Sequence, residues 1–477
     1  MKRFISIILS IIVCTTFFLS ACENSQISLL EFVTDVSDVD YEGYQCYFLH
    51  KEQSFEEGTG IFTYDKTTTQ GEALLKRIKD IKDQINVEVI FDDSYDEDTY
   101  QVAAMSDLVK ADIVSLVYMN AMQMLALGGF FHPINEFPDY IDLSDTEKYG
   151  DANILEPVMI DSVPYAVQPL FWVGYQPVDS YVIAYNTDVL SVNGIADFHE
   201  FYENETWTWD TFENEYLAKL QVPKGDGLLP AISTNEAGFF DMMIYSNDVH
   251  FVTKNNAGET VSNTFPERFV TAYDKTREWM AKYPTIDTKN GWVEVKKFLN
   301  EETAATLARG DTLTRGDIAY KNSSFSYNIM PFPCGPDAEY GKWANFIQSA
   351  TGGTAISRAS EEPEIAAHTL SLLFEPFEEL GGRDGLYDYY DTTTFIDETD
   401  TKIFFDVMQY ARYDYTFWNQ TDVGRDMASK FGESAKQGLS AAEAYERYRH
   451  YIEEMVYDYV LPNYDYMYEN YYSKQGQ

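Results

Sequence analysis

The stretch GEALLKRIKDIKDQINVEVIF, residues 71–91, decides the fold class. Its first part repeats apolar residues at helical spacing: Leu74, Leu75, Ile78, Ile81 and Ile85. That spacing puts them on one face of a helix over 71–84. Its second part alternates, with Val87, Val89 and Phe91 on one side, as a strand over 86–91 does. Outward from this core, 44–49 and 61–64 read as strands joined by the polar stretch around Glu56-Glu57-Gly58. Residues 103–109 suggest a further helix and 112–117 a short apolar strand. Residues 119–127 read as a helix stopped by Gly128-Gly129. Strand and helix alternating at this spacing imply crossover units on a largely parallel sheet.

The pattern resumes further along. Residues 164–167, 181–185 and 326–330 read as strands. Trp207-Thr208-Trp209-Asp210 opens a helix that runs to Leu220. Residues 267–282 form a long amphipathic helix carrying Phe269, Ala272, Tyr273, Thr276 and Trp279, and 362–374 another. Ser440-Ala441-Ala442-Glu443 is a capping box. The helix behind it carries Tyr445, Tyr448, Ile452, Met455 and Tyr459 near one face. The tyrosine-rich tail 464–472 is expected to pack on the body, because bare solvent would waste its apolar area. At 477 residues the chain exceeds the roughly 250–300 at which a single core stops growing, so two lobes or more are expected.

Aspartate and glutamate total 78 against 34 lysine and arginine, a net charge of −44. Such a field repels phosphate backbones and argues against nucleic-acid binding. It argues equally against docking on anionic lipid through a basic patch. A hydrophobic content of 45% is too high for a disordered acidic chain. The start is different: Met1-Lys2-Arg3 is basic, residues 4–19 are mostly apolar, and small Ser20 and Ala21 precede Cys22. That is the pattern of a secretory signal, although its length also permits a short anchor. Leu19-Ser20-Ala21-Cys22 resembles the bacterial lipoprotein box. The resemblance implies a signal peptide over 1–21, a lipid on Cys22, and a tether over 22–43. Cys46 and Cys334 then remain, either as one disulfide or as two buried thiols.

Motifs of nucleophilic, metal or nucleotide chemistry are missing: no H-E-x-x-H, G-x-S-x-G, G-x-x-x-x-G-K-[ST] or G-x-G-x-x-G. The six histidines are scattered and read as structural or solvated. Asp38-Val39-Asp40-Tyr41-Glu42-Gly43 begins like a calcium loop, but Leu49 stands where its last carboxylate belongs. The cluster Asp92-Asp93-Ser94-Tyr95-Asp96-Glu97-Asp98 reads as a solvated acidic loop. No metal or cofactor is expected. A glycosidase needs only two well-placed carboxylates, so 78 acidic side chains leave that class open.

Several segments, in order, resemble the extracellular solute-binding proteins of bacterial ABC importers, the sugar-type group with a maltose-binding-like fold. Residues 75–91 are similar to the family's first helix and strand, and 111–137 to its strand, helix, double glycine and Pro-x-x-x-Phe run. Ile183-Ala184-Tyr185-Asn186-Thr187-Asp188-Val189-Leu190 resembles its Y-Y-N-K-D-L segment, departing at Thr187. Thr206-Trp207-Thr208-Trp209-Asp210 resembles its T-W-D helix start. Residues 298–305 resemble its F-x-x-G-x-A-A-M helix without the glycine and methionine. Residues 327–336 resemble its strand and hinge passage, and Gly352-Gly353-Thr354-Ala355-Ile356-Ser357 the glycine pair and strand that follow. The resemblance implies a two-lobed α/β periplasmic-binding-protein-like fold of type II, each lobe a mainly parallel sheet flanked by helices. Lobe one is expected over 44–142 and 337–385, lobe two over 143–336 and 386–477. The hinge is expected near 138–143 and 331–336.

A sugar presents an apolar ring face to aromatics and a rim of hydroxyls to Asp, Asn, Gln and Arg. Most aromatics of a chain that is 16% aromatic must still be core, Trp279, Tyr273 and Trp207 among them. Cleft residues are therefore sought in loops at strand ends. The candidates are Tyr118 and Asn120; Gln168, Trp172 and Tyr175; Phe239 and Phe240; and Trp343 with Asn345. The family places a polar ligand contact at the position of Gln168, and stacking aromatics in the loop matching Phe239 and Phe240. The implied protein is a monomer, held to the membrane by the lipid on Cys22 and exposed outside the cytoplasm. Its expected partners are a mono- or oligosaccharide and an ABC permease. A surface glycan-degrading enzyme and a sensor or adhesion lipoprotein stand as alternatives.

Overall fold

The computed structural model describes residues 39–50, 69–92, 94, 97–106, 109–116, 125–168, 181–288, 294–310, 313, 323–343, 345–347, 353–395, 397–413 and 427–474. The expected strand over 61–64 and the signal segment with Cys22 lie outside them. Along the chain come β1 (Tyr44–His50), helix α1 (Thr69–Ile85), β2 (Val87–Asp92) and β3 (Ile113–Leu116). Next are β4 (Tyr181–Asn186), β5 (Ile232–Ser233), α2 (Glu236–Ser246), α3 (Glu267–Lys282) and β6 (Ile286–Asp287). β7 (Ala305–Arg309), β8 (Tyr327–Met330), β9 (Asn345–Ile347), β10 (Gly353–Ile356) and α4 (Pro363–Leu373) follow. The chain continues through α5 (Glu398–Gln409), β11 (Ala411–Tyr413), α6 (Met427–Lys436), α7 (Ala441–Glu454) and α8 (Leu461–Met467).

Two sheets organise these elements. The first has the order β10-β3-β1-β2, with β1 parallel to both β2 and β3 and only β10 antiparallel. The unit β1-α1-β2 is the crossover that residues 71–91 foretell. On α1, Leu74, Ile81 and Ile85 are buried and Ile78 is half-buried, whereas Leu75 is 45% exposed. Leu75 sits about 100° around the helix from Leu74, off the stripe that spacings of three and four trace. The second sheet has the order β6-β5-β7-β4-β8, and only β4 runs against its neighbours.

The core of the first sheet extends beyond the expected boundary at residue 142. Cys46, Phe48, Ile113 and Ile356 share one buried cluster with Tyr149, Leu155, Met159 and Val167, and with Met467 and Tyr471 from the tail. Residues 331–336 belong with the second sheet. Trp207 Nε1 donates to Pro331 O at 2.9 Å. Cys334 N donates to Trp207 O at 3.1 Å, and Gly335 N to Ser246 O at 2.8 Å. Among the described residues, Val167 bridges to β10 of the first sheet, and β4, β7 and β8 belong to the second.

Trp279 and Tyr273 are fully buried, as their helical spacing foretells, and so is Trp207. The expected helix from Trp207 to Leu220 is instead one short turn, Trp209–Thr211, running into a π-helical segment, Phe212–Leu217. That segment carries Glu213 into a buried cage. Lys275 Nζ (2.7 Å) and Trp279 Nε1 (2.9 Å) donate to Oε2 of Glu213. Lys282 Nζ (2.6 Å) and the Tyr283 hydroxyl (2.9 Å) donate to Oε1. Burial alone would raise the pKa of this carboxyl, but the four donors outweigh it and the value falls to about 2. A second buried acid, Asp400 on α5, accepts from Ile329 N at 2.7 Å and faces His199 Nε2 at 3.1 Å, tying α5 to β8. Burial pushes its carboxyl up to about 6. Cys46 and Cys334 are both buried free thiols.

Candidate functional site

In sheets of this kind, ligands gather outside the carboxyl ends of the strands. At that edge of the first sheet the structure concentrates polar side chains where an apolar core would otherwise continue. Val167 and Thr354 exchange two backbone hydrogen bonds of 2.9 Å each. This antiparallel bridge lays Gln168, itself buried, beside the end of β10. Thr354 lies opposite Ser115 of β3, and its hydroxyl donates to Ser115 Oγ at 3.2 Å. Gln168, Ser115 and Thr354 thus place three buried polar side chains at one sheet edge.

The second sheet offers a comparable edge. β5 ends in Ser233, and Thr234 and Asn235 lead from it into α2. Asn235 is the N-cap: its side-chain oxygen accepts from Gly238 N at 2.5 Å. A Cβ at Gly238 would stand 3.2 Å from Asn235 Oδ1 and 3.3 Å from Thr234 Oγ1, so a glycine keeps this turn closed. Beside it, Thr234 N donates to Asp287 O at 2.9 Å, and Lys297 Nζ pairs with Asp287 Oδ2 at 2.9 Å.

The candidates from sequence fall into three groups. Gln168 stands at the first edge. Tyr118, Asn120, Trp172 and Tyr175 lie outside the described residues; they follow β3 and Gln168 directly in sequence. Phe239 and Phe240 correct the expectation of a loop. Both sit in α2 and are fully buried. Phe239 meets Phe332 at 6.1 Å between ring centroids, and Phe240 stacks on Phe431 at 5.5 Å. The Asn235 cap starts the helix early enough to turn both rings into the core. Trp343 is also taken up by packing, between Tyr202 (5.7 Å) and Tyr340 (5.0 Å). Asn345 is buried in β9, where its amide donates to Tyr181 O and fastens β9 to the start of β4. Sequence reading missed Ser115, Thr354, Thr234 and Asn235. The signals were present: a serine inside the apolar strand β3, a threonine after a glycine pair, and a capping residue ahead of α2.

Among the described residues, no group of three or more His, Cys, Asp or Glu is placed to hold a metal ion. Among them, no helix is long and apolar enough to cross a membrane.

Residues 75–374 match the family of bacterial extracellular solute-binding proteins. The chain belongs to that family. Solved structures agree on the fold. A cyclo/maltodextrin-binding protein complexed with maltotetraose superposes with a TM-score of 0.58 at 11% identity, over 87% of this chain and 97% of that one. The sugar-binding protein MalE from Xanthomonas citri gives 0.56 at 13% identity, over 89% and 99%. UgpB from Mycobacterium tuberculosis, in complex with glycerophosphocholine, gives 0.51 at 14% identity, over 81% and 95%. No curated protein sequence matches. This solute-binding protein thus has the two-lobed α/β fold of periplasmic binding proteins, and its family places it outside the cytoplasm.

Proposed function

We propose that this solute-binding protein captures a carbohydrate between its lobes and delivers it to an ABC permease, and that it is a monomer held to the membrane by a lipid on Cys22. The observation that carries the sugar reading is the buried polar edge formed by Gln168, Ser115 and Thr354. It supplies hydrogen-bonding groups for a hydroxyl rim, and the aromatic positions Tyr118, Trp172 and Tyr175 follow it closely in sequence. The likeness to a fold that holds maltotetraose supports the same reading. Solute touching both lobes favours the closed arrangement through that differential contact, and a permease reads the closed shape. No catalytic role is assigned to any residue.

Thermal unfolding of the purified protein against a panel of oligosaccharides tests this. A ligand at 100 times its Kd adds about 2.7 kcal/mol of stability. Stabilisation without turnover is expected, and Trp172→Ala should weaken it. Release of reducing ends would refute the transport reading, and silence across the panel would refute the sugar.

A further inference from the structure

Asp400 and His199 meet inside the second body, and neither is used by the strand edges. Both are buried, and His199 comes from the short helix Phe198–Glu203. Asp400 Oδ1 accepts from Ile329 N and faces His199 Nε2, whereas Oδ2 is buried without a hydrogen-bond partner. An ionised carboxylate there leaves one oxygen unsatisfied away from water, and a proton on it removes that cost. His199 Nδ1 faces Asn328 Nδ2 at 3.4 Å and Asp397 Oδ2 at 4.0 Å. A neutral ring accepts from the amide. A protonated ring has a second donor, and the Asp397 carboxylate is the charge it meets. Asp397 is the N-cap of α5, its Oδ1 accepting from Thr399 N at 2.8 Å. Both proton sites therefore fasten the start of α5.

The surroundings supply acids and hydroxyls. Asp197 accepts from His199 N at 3.0 Å and from the Tyr185 hydroxyl at 2.6 Å. Asp391, on the neighbouring helix Gly382–Thr393, accepts from Thr401 Oγ1 at 3.1 Å, and the Tyr327 hydroxyl of β8 donates to Thr394 O at 3.4 Å. Lys402 of α5 pairs with Asp406. Among the described residues, His199 is the one basic group paired with Asp400 or Asp397. Burial alone would lower the His199 imidazole, but its hydrogen bond to Asp400 and the charges of Asp400 and Asp197 raise it above 6.5. Each raised group firms the fold where it is protonated. Its contribution is whole in acid and is lost as pH rises through the folded value, about 6 for Asp400. About 14 Å along α5 the chain reaches the joint between the two bodies. There Tyr471, from the cluster of Cys46 and Phe48, donates to Gln409 O at 2.7 Å, and Asn153 Nδ2 donates to Ala411 O at 2.9 Å. β11 pairs with β9, which falls in the chain between β8 of the second sheet and β10 of the first.

We propose that His199 and Asp400 form a proton-operated clasp: protonated, it locks α5 to β8 and steadies the joint between the two bodies; deprotonated, it lets both open. The device needs no solute, so the ligand-free protein tests it. Amide exchange of the full chain in detergent, corrected for the intrinsic rate, is compared at about pH 5 and about pH 8. Ile329 N donates to Asp400, so the peptide Tyr327–Met330 reports the clasp, and Ala411–Tyr413 reports the joint. Protection of both should fall about tenfold or more at the higher pH. Asp400→Asn should remove most of that response, which separates the clasp from the general repulsion of an acidic chain. Where this variant fails to fold, NMR titration of the otherwise unaltered chain decides. The ring signal that His199→Gln deletes should titrate above the ordinary 6.5. Equal protection at both pH values overturns the proposal. So does a response that Asp400→Asn mostly retains, one at Ile329 that Ala411–Tyr413 does not share, or a His199 midpoint at or below 6.5.

Discussion

Replacing Glu213 by Gln tests how the second body holds its charges. The carboxylate accepts from Lys275, Lys282, Trp279 and Tyr283, and its folded pKa is about 2 against an ordinary value of 4.5. At about 1.36 kcal/mol per pKa unit, that gap corresponds to roughly 3 kcal/mol. Lys282 is 54% exposed, so solvent screens its arm, and about 1–2 kcal/mol is the realistic share. The sign follows from the direction. A depressed folded pKa gives stability that is present above the unfolded value and lost as pH falls through the folded one. The contribution is therefore whole at pH 7 and fades between pH 4.5 and about 2. Urea unfolding followed by tryptophan fluorescence, with Trp279 donating into the cage, reads it. Wild type should exceed Glu213→Gln by about 1–2 kcal/mol at pH 7, and the two should converge near pH 2. An equal difference at both pH values would refute the argument and assign the cost to packing.

Other outcomes follow from the same geometry. Asn235→Ala removes the α2 cap and should cost about 1 kcal/mol in urea unfolding while also weakening solute binding, since the cap sits at the strand edge. Trp343→Ala should cost about 3–5 kcal/mol and leave solute affinity unchanged, because that buried ring is taken up by contacts with Tyr202 and Tyr340. Cys46 should resist alkylation by iodoacetamide until the chain unfolds: burial pushes its thiol well above the usual range, aided by the nearby Asp112 charge.

Residues 71–91 determined the parallel crossover because period alone separates a helix from a strand. The strongly apolar stretches of β1, β2, β3, β4 and β8 therefore read correctly, and so did the capping box at Ser440, which forms as written. The order of segments was enough to point to the family. Period carries no information about which body a segment joins. Within 143–167, Tyr149, Leu155 and Met159 join the cluster of Cys46 and Phe48, whereas Ile154, Val158 and Ala166 join the other one. Aromatic residues show the same limit. Phe239, Phe240 and Trp343 looked like ring platforms for a sugar, and packing consumed all three, because burying a large ring in a core is worth more than exposing it at a rim. Long-range pairing alone brought Ser115, Gln168 and Thr354 to one edge, and His199 and Asp400 to one clasp. Sequence by itself determined the elements and their order; only the tertiary structure decided which polar groups share a space, because that depends on contacts between residues far apart in the chain.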